Sequence, residues 1–304
     1  MLCESGGESG LVLPHILHDW CVSVGGTRSG LGPARGATIE EYNGDGFSVC
    51  VERDTESRFI VSFGGLASFS VNQAERSITC HPFTERLPET TLEHLLLDQI
   101  VPRIIGQQGD LVLHAAGLAH NGAAILLLGD TGRGKSTLAT SLYAQGMALL
   151  GDDAMVIKIE DGQPRARSIY PSLRLLPDSR TNLLPKGTVH HAIGSQTKKE
   201  RITLPFMALP EPDYQAIAGI FILENALPEG KVCLRRLSPA EVCMALTSNS
   251  FALDPADNRS ASARLQIAAA LARQAPAFAL HYPRDYELLP QVCTAIVNAV
   301  APAC

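Results

Sequence analysis

The first quarter of the chain alternates apolar and polar residues. That period of two predicts short strands at residues 47–51, 58–63, 69–71 and 77–79, punctuated by Gly44-Asp45-Gly46 and Gly64-Gly65. The stretch 1–35 before them is rich in Gly, Ser and Pro and is expected to be partly irregular. The period then changes. Leu92, Leu95, Leu96, Ile100, Ile104 and Ile105 fall on one helical face, with Thr90 and Glu93 ahead of them at the capping-box spacing. Pro102 is expected to kink this helix or to begin a second short turn. Next come a strand over 110–118, a turn at 120–122, a buried parallel strand over 123–128, and a helix over 136–145 closed by Gly146. Residues 147–150 make the next buried strand, and 155–159 and 168–176 continue the apolar pattern.

The polar stretch 177–201, which holds His190, His191, Lys198 and Lys199, resembles a mobile loop. Residues 216–224 return to an apolar strand. Ser238-Pro239-Ala240-Glu241 combines an N-cap Ser, a Pro at the first helical position and a Glu completing a capping box. Helices at about 238–250, 258–274 and 288–300 close the chain, with a strand at 278–281. This is an α/β pattern, divided into a β-rich N-terminal module over 1–88 and a larger domain over 89–304.

A length of 304 residues supports about two domains with a proper core. With 18% charged and 45% hydrophobic residues the chain is globular. A net charge of −6 gives no general attraction to nucleic acid or to an anionic membrane, so neither is an expected partner. The eight cysteines include no Cys-x-x-Cys pair, which argues against a zinc site and favours free thiols. The N-terminus has no basic region followed by a long apolar stretch, and no apolar run approaches the ~18 residues of a membrane span. A soluble, cytoplasmic protein is expected.

The chemistry gathers around residues 123–153. Gly129, Gly134, Lys135 and Ser136 complete the pattern G-x-x-x-x-G-K-[ST], set between an apolar strand and a helix. In that setting the backbone N–H groups of Gly129, Asp130, Thr131, Gly132, Arg133, Gly134, Lys135, Ser136 and Thr137 converge on an anion, and Lys135 supplies a point charge. Ser136 is placed to hold Mg²⁺. The expected ligand is a nucleoside triphosphate, most simply ATP.

The next apolar strand ends in Asp152-Asp153, and carboxylates at the C-terminal edge of a parallel strand face the ligand crevice. One can hold Mg²⁺ while the other accepts a proton from an attacking hydroxyl. His114 ends the run Leu111-Val112-Leu113 and is positioned either to serve the same edge or as an ordinary structural histidine. Arg174, Lys198, Lys199 and Arg201 either steady a transferring phosphate or an acidic peptide, or form a solvated basic surface.

Leu113-His114-Ala115, the loop 129–136 and Gly151-Asp152-Asp153 together resemble the C-terminal kinase domain of HPr kinase/phosphorylase. The set looks closer still to HPr-kinase-related proteins of peptide maturation, including lasso-peptide precursor kinases. The resemblance continues through Tyr170-Pro171-Ser172-Leu173-Arg174-Leu175 and Pro177-Asp178, and more weakly through 199–205 and Tyr282-Pro283-Arg284-Asp285. It implies a P-loop kinase core of HPr-kinase type that phosphorylates a hydroxyl, serine in first place, on a peptide precursor or small protein. Carried over by position, Asp152 is the base and His114 orients or assists it. Asp153 and Ser136 hold Mg²⁺, and Lys135 binds the β- and γ-phosphates. The two aspartates are open to exchanging roles.

Thr137 stands where HPr kinases usually carry Glu, no Arg-Gly-Leu-Gly segment follows the aspartates, and the N-terminal part has no obvious match. These departures leave HPr as substrate, the reverse phosphorylase activity and hexameric assembly open, and homo-oligomerisation with them. The rival readings are a small-molecule kinase, an ATPase, and an ATP-binding regulatory protein that transfers nothing.

Overall fold

A computed structural model describes residues 11–27, 37–43, 48–193, 197–204, 214–227 and 230–301. Most of the Gly-, Ser- and Pro-rich start, the 44–46 turn, Phe47 and Pro205 lie outside these residues. The fold is mixed α/β with several sheets. The chain divides into two compact units, residues 1–104 with 193–197 and 253–256, and residues 105–192 with 198–252 and 257–304.

In the first unit, β1 (Cys21–Val24), β2 (Ala37–Asn43), β3 (Ser48–Arg53), β4 (Arg58–Phe63), β5 (Ala67–Asn72) and β6 (Ser77–Pro82) form one sheet in the order β1-β6-β5-β4-β3-β2. β1 runs parallel to β6 and every other pairing is antiparallel. Period-two alternation sends Val49, Val51, Phe59, Val61, Phe63, Phe69, Val71 and Ile78 to one buried face, where the Phe63 and Phe69 rings meet edge to face at 5.8 Å. β1 is an ordered strand inside the stretch expected to be partly irregular. Its backbone finds partners along β6, which the local sequence does not advertise. Arg53 pairs with Asp254, which ties residues 253–256 to this unit.

The helix on the 92–105 face forms in three pieces, α1 (Glu89–Leu95), a π-helical turn (Leu96–Ile100) and α2 (Val101–Gln107). The wider turn explains why Pro102 does not break it. Pro102 has no N–H to give and its ring crowds the carbonyl one turn back, and the π turn relieves that crowding. The expected Thr90–Glu93 capping box is absent. The helix begins earlier, with Pro88 at the N-cap and no side-chain cap, so Thr90 lies inside it.

The second unit contains β7 (Leu111–Leu113), β8 (Ala115–His120), β9 (Ala123–Leu128), α3 (Lys135–Ala144), β10 (Ala148–Gly151), β11 (Met155–Glu160), β12 (Gln163–Ser168), β13 (Arg174–Leu175), α4 (Pro177–Leu183), β14 (His190–Ala192), β15 (Glu200–Ile202), β16 (Gln215–Leu223), β17 (Cys233–Arg236), α5 (Pro239–Ser248), α6 (Asn258–Gln274), β18 (Ala277–His281) and α7 (Leu289–Val300). The main sheet runs β10-β8-β9-β16-β12-β11-β7. β16 also pairs with β18, which pairs with β17. β9, β16 and β18 are mutually parallel neighbours in that order, and β8 is antiparallel to both β9 and β10. β9 and β10 therefore point the same way and end at the same edge of the sheet.

β9 is buried on both faces. Ile125 and Leu127 join α3 and α7 in one core, while Ala124, Leu126 and Leu128 join α5 and α6 in another. A strand covered on both sides reads as an unbroken apolar run, which is how its sequence reads.

Two expectations are corrected here. The single strand over 110–118 is two strands broken at His114, whose N–H donates to the Asn249 carbonyl at 2.7 Å instead of joining a ladder. The polar stretch 177–201 holds α4, β14 and the start of β15. β13, β15 and β14 form a three-stranded sheet in that order, whose polar residues make ion pairs that hydropathy does not reveal. The strands β12 and β17 were not anticipated. The Ser238 capping box does form: Ser238 Oγ accepts from the Glu241 N–H, and Glu241 Oε2 accepts from the Ser238 N–H at 2.8 Å. Cys80, Cys233, Cys243 and Cys293 are free thiols. Among the described residues no helix is long and apolar enough to cross a membrane.

Candidate functional site

The loop 129–134 leaves the end of β9 and turns into α3. Its glycines are required by the backbone. Gly129 has φ 137° and a Cβ there would lie 2.9 Å from the Leu223 carbonyl oxygen, while Gly134, the α3 N-cap, has φ 94° and faces Tyr282 Oη. Lys135 and Ser136 are buried at the first turn of α3. Lys135 Nζ donates to the carbonyls of Gly129 (2.5 Å) and Asp130 (3.2 Å), so its charge sits within the curve of the loop. Asp130, Thr131 and Gly132 are exposed. The Arg133 side chain donates to Asn225 Oδ1 just past β16 and lies 3.4 Å from Asp130 Oδ2.

Asp152 and Asp153 follow the last residue of β10 and are both buried. Asp153 has φ 78°, a left-handed conformation that costs a non-glycine residue about 1 kcal/mol and that Asp tolerates better than most. Arg174, the first residue of β13, holds both carboxylates. Its backbone N–H donates to Asp152 Oδ2 at 3.4 Å, and its Nε and Nη2 each lie 2.6 Å from Asp153 Oδ2. Ser172 Oγ donates to the Asp152 carbonyl at 3.0 Å. Asp152 Oδ1 is buried and has no hydrogen-bond partner among the described residues.

The two neighbouring carboxyls are driven apart. Burial and then repulsion from Asp153 push Asp152 up, against the pull of Lys199, the Ser136 hydroxyl and Arg174. Burial would also raise Asp153, but Arg174, then Lys199 and His114, outweigh it and hold that carboxyl well below the usual range. Burial lowers Lys135 to about 8, opposed by the attraction of Asp153 and Asp152.

His114 sits half-buried in the break between β7 and β8, with its ring edge-on to Phe251 at 5.9 Å. Burial and then Lys135 push it down to about 4, so it is neutral at pH 7. The charge of Asp153 acts on His114 in the opposite sense and raises it.

Of the basic residues, Lys198 is exposed, while Lys199 is half-buried and its charge acts on His114, Lys135, Asp152 and Asp153. The Arg201 guanidinium lies over the Tyr170 ring at 5.7 Å. Thr137, one residue past Ser136, is hydrogen-bonded to Ser179 of α4 at 3.0 Å.

Sequence reasoning singled out His114, the loop and the aspartate pair, and the structure brings Lys135 of the loop, His114 and the aspartates within reach of one another's charge. It offered Arg174 a phosphate, whereas the structure gives it Asp153. It missed Ser172, Ser179, Asn225 and Tyr286, whose contacts span long sequence separations and leave no local pattern. Tyr282, which abuts Gly134, had one available signal, its place in the Tyr-Pro-Arg-Asp segment.

The donor set suits a magnesium–nucleotide complex. The unpartnered Asp152 Oδ1 lies in the pair beside Ser136. Hard oxygen ligands of this kind suit Mg²⁺. Among the described residues no cluster of three His, Cys, Asp or Glu side chains could hold a metal ion by itself. Mg²⁺ characteristically takes one or two carboxylates and completes its shell with phosphates and water.

No family model matches the chain, and no curated protein matches it. Among solved structures, the Hpr(Ser) kinase/phosphatase from Coxiella burnetii is similar over 62% of this chain and 94% of that one, at 13% sequence identity and a TM-score of 0.32.

Proposed function

We propose that this protein is an ATP- and Mg²⁺-dependent kinase of HPr-kinase type, built on a P-loop core, that phosphorylates a hydroxyl, serine in first place, on a peptide precursor or small protein. The observation that carries this reading is the splitting of two adjacent buried carboxyls at the mouth of the loop, one raised and one held charged, with Lys135 and Ser136 beside them. A site that only binds nucleotide has no use for a carboxylate poised to take a proton.

In this reading the loop N–H groups, the α3 N-terminus and Lys135 bind the nucleotide phosphates. Ser136 and Asp153 hold Mg²⁺, which when bound neutralises charge on the β- and γ-phosphate oxygens. Asp152 takes the proton of the acceptor hydroxyl as that oxygen attacks the γ-phosphorus. The bond from phosphorus to the β–γ bridging oxygen breaks, and ADP leaves with the electron pair. Arg174 fixes the orientation of both carboxylates, and neutral His114 closes the site behind Asp153. The exposed outer strand β14, at the edge of the three-stranded sheet that begins at Arg174, offers an extended acceptor backbone a place to lie. Maturation of a ribosomally made peptide, such as a lasso precursor, is the setting such an acceptor fits.

The test is transfer of labelled γ-phosphate to a panel of serine-containing precursor peptides, with and without Mg²⁺. Label on a peptide serine that requires Lys135 and Asp152 supports the reading. ATP turnover that labels only a metabolite, or releases phosphate with no acceptor, rejects the peptide acceptor. Tight ATP binding without turnover rejects the kinase.

A further inference from the structure

Three consecutive residues of α4 each reach a different element. Tyr286 Oη donates to Asp178 Oδ2 at 2.8 Å. Ser179 Oγ lies 3.0 Å from Tyr286 Oη and 3.0 Å from Thr137 Oγ1. Arg180 Nε donates to Glu200 Oε2 at 2.7 Å. The proton of Tyr286 is committed to Asp178, so Ser179 must donate to Tyr286 and Thr137 must donate to Ser179. One directed chain of hydroxyls thus fastens α3, just past Ser136, to α4, and α4 in turn fastens the first residue of β15.

What β15 presents follows from its register. Glu200 pairs with Leu175 and Arg201 with Arg174. Side chains alternate along an extended chain, so Arg201 and Lys199 share the face of Arg174, while Glu200 points away to its ion pair with Arg180. Arg174 uses that shared face to hold Asp153. Lys199 is half-buried there, and its charge favours the ionised form of both aspartates while opposing that of Lys135 and His114.

We propose that Lys199 is a further catalytic residue, whose ammonium contacts the transferred phosphoryl group, and that Arg180 is a positioning residue that fixes it through Glu200. This rests on the kinase reading above. Lys135 is anchored to its own loop and serves the nucleotide side, whereas Lys199 arrives from a separate segment, immediately ahead of β15. As the new oxygen–phosphorus bond forms and the bond to ADP breaks, charge spreads over the equatorial oxygens. Lys199 meets that charge and keeps its own proton throughout, the acceptor's proton going to Asp152.

The experiment is calorimetric titration of the full chain with MgADP and with MgADP plus tetrafluoroaluminate, a planar mimic of the phosphoryl in transit. Wild type is expected to bind the mimic more tightly than MgADP alone. Lys199→Met should lose about tenfold or more of that extra affinity with MgADP affinity unchanged, which also shows that the fold is intact. Lys199→Arg should keep most of it. Arg180→Met should lose a smaller part, and Arg180→Lys should restore it. A Lys199→Met protein that binds the mimic as tightly as wild type overturns this inference alone. A wild-type protein that binds no nucleotide overturns the kinase reading, and this inference with it.

Discussion

Arg174 and Asp153 form a buried ion pair in which Nε and Nη2 both converge on a single carboxylate oxygen, Oδ2, at 2.6 Å. The pair also pins a left-handed residue, since Asp153 has φ 78°. Removing one partner of such a pair leaves an uncompensated charge out of water, which costs about 3–5 kcal/mol. Arg174→Met should therefore lower unfolding stability by about that amount in denaturant titrations. Arg174→Met combined with Asp153→Asn should recover much of the loss, because the buried charge is then gone. Additive losses would show that the pair does not hold the turn.

Asp152→Asn should reduce phosphate transfer by about 10²–10⁴-fold while leaving MgATP affinity nearly unchanged. Equilibrium binding and single-turnover transfer measure the two separately. Full transfer in this variant would remove Asp152 from the role of base. Lys135→Ala should weaken binding and transfer together.

The pH dependence of stability separates the two carboxyls. Asp152 is raised from 3.8, so the folded state holds its proton more tightly than the unfolded state does. Its contribution to stability is therefore fully present below 3.8 and is lost as pH rises through the raised value. Asp153 is depressed, so its contribution is present above 3.8 and is lost as pH falls toward the depressed value. Asp152→Asn should flatten the decline in melting temperature between the ordinary carboxylate range and neutrality.

For activity, kcat/KM should rise as Asp152 ionises, above the ordinary carboxylate range. It should fall where Lys135, lowered to about 8, loses its charge. Lys135→Arg should move the alkaline limb upward, because a guanidinium stays charged. His114, pushed down to about 4, adds no limb near neutrality.

Two glycines make a paired test of packing. A Cβ at Gly106, inside α2, would lie 1.9 Å from the Phe251 carbonyl oxygen, whereas one at Gly117 would meet the end of the flexible Met155 side chain at 2.5 Å. Helix propensity alone favours Gly106→Ala by about 0.8–1 kcal/mol. A backbone clash costing about 1–3 kcal/mol reverses that sign. Gly106→Ala should therefore destabilise and Gly117→Ala should cost less, as read from chemical denaturation of each variant.

What the sequence made legible was whatever is carried by neighbours in the chain. The loop, its flanking strand and helix, the aspartates after the next strand and the Ser238 cap are all local, and they stand where their patterns predict. Lys199 and Arg174 could not be assigned in the same way. Their surroundings depend on β13 pairing with β15 across a stretch whose polar composition suggests a loop. His114 lies between, since its run of apolar neighbours was visible while the strand break that frees it was not. That break depends on Asn249, far along the chain.

β16 lies against β9 along one edge and divides its other edge between β12 and β18. The strand that leads into the loop 129–134 is thus held, one strand removed, by β18. Removing the chain from residue 277 onward would strip β18 and α7 from β16 and loosen the seat of the loop, although no loop residue is touched. Residues 277–300 are in this sense the keystone of that end of the sheet, and on the kinase reading a form shortened by them would lose nucleotide affinity before it lost its remaining secondary structure.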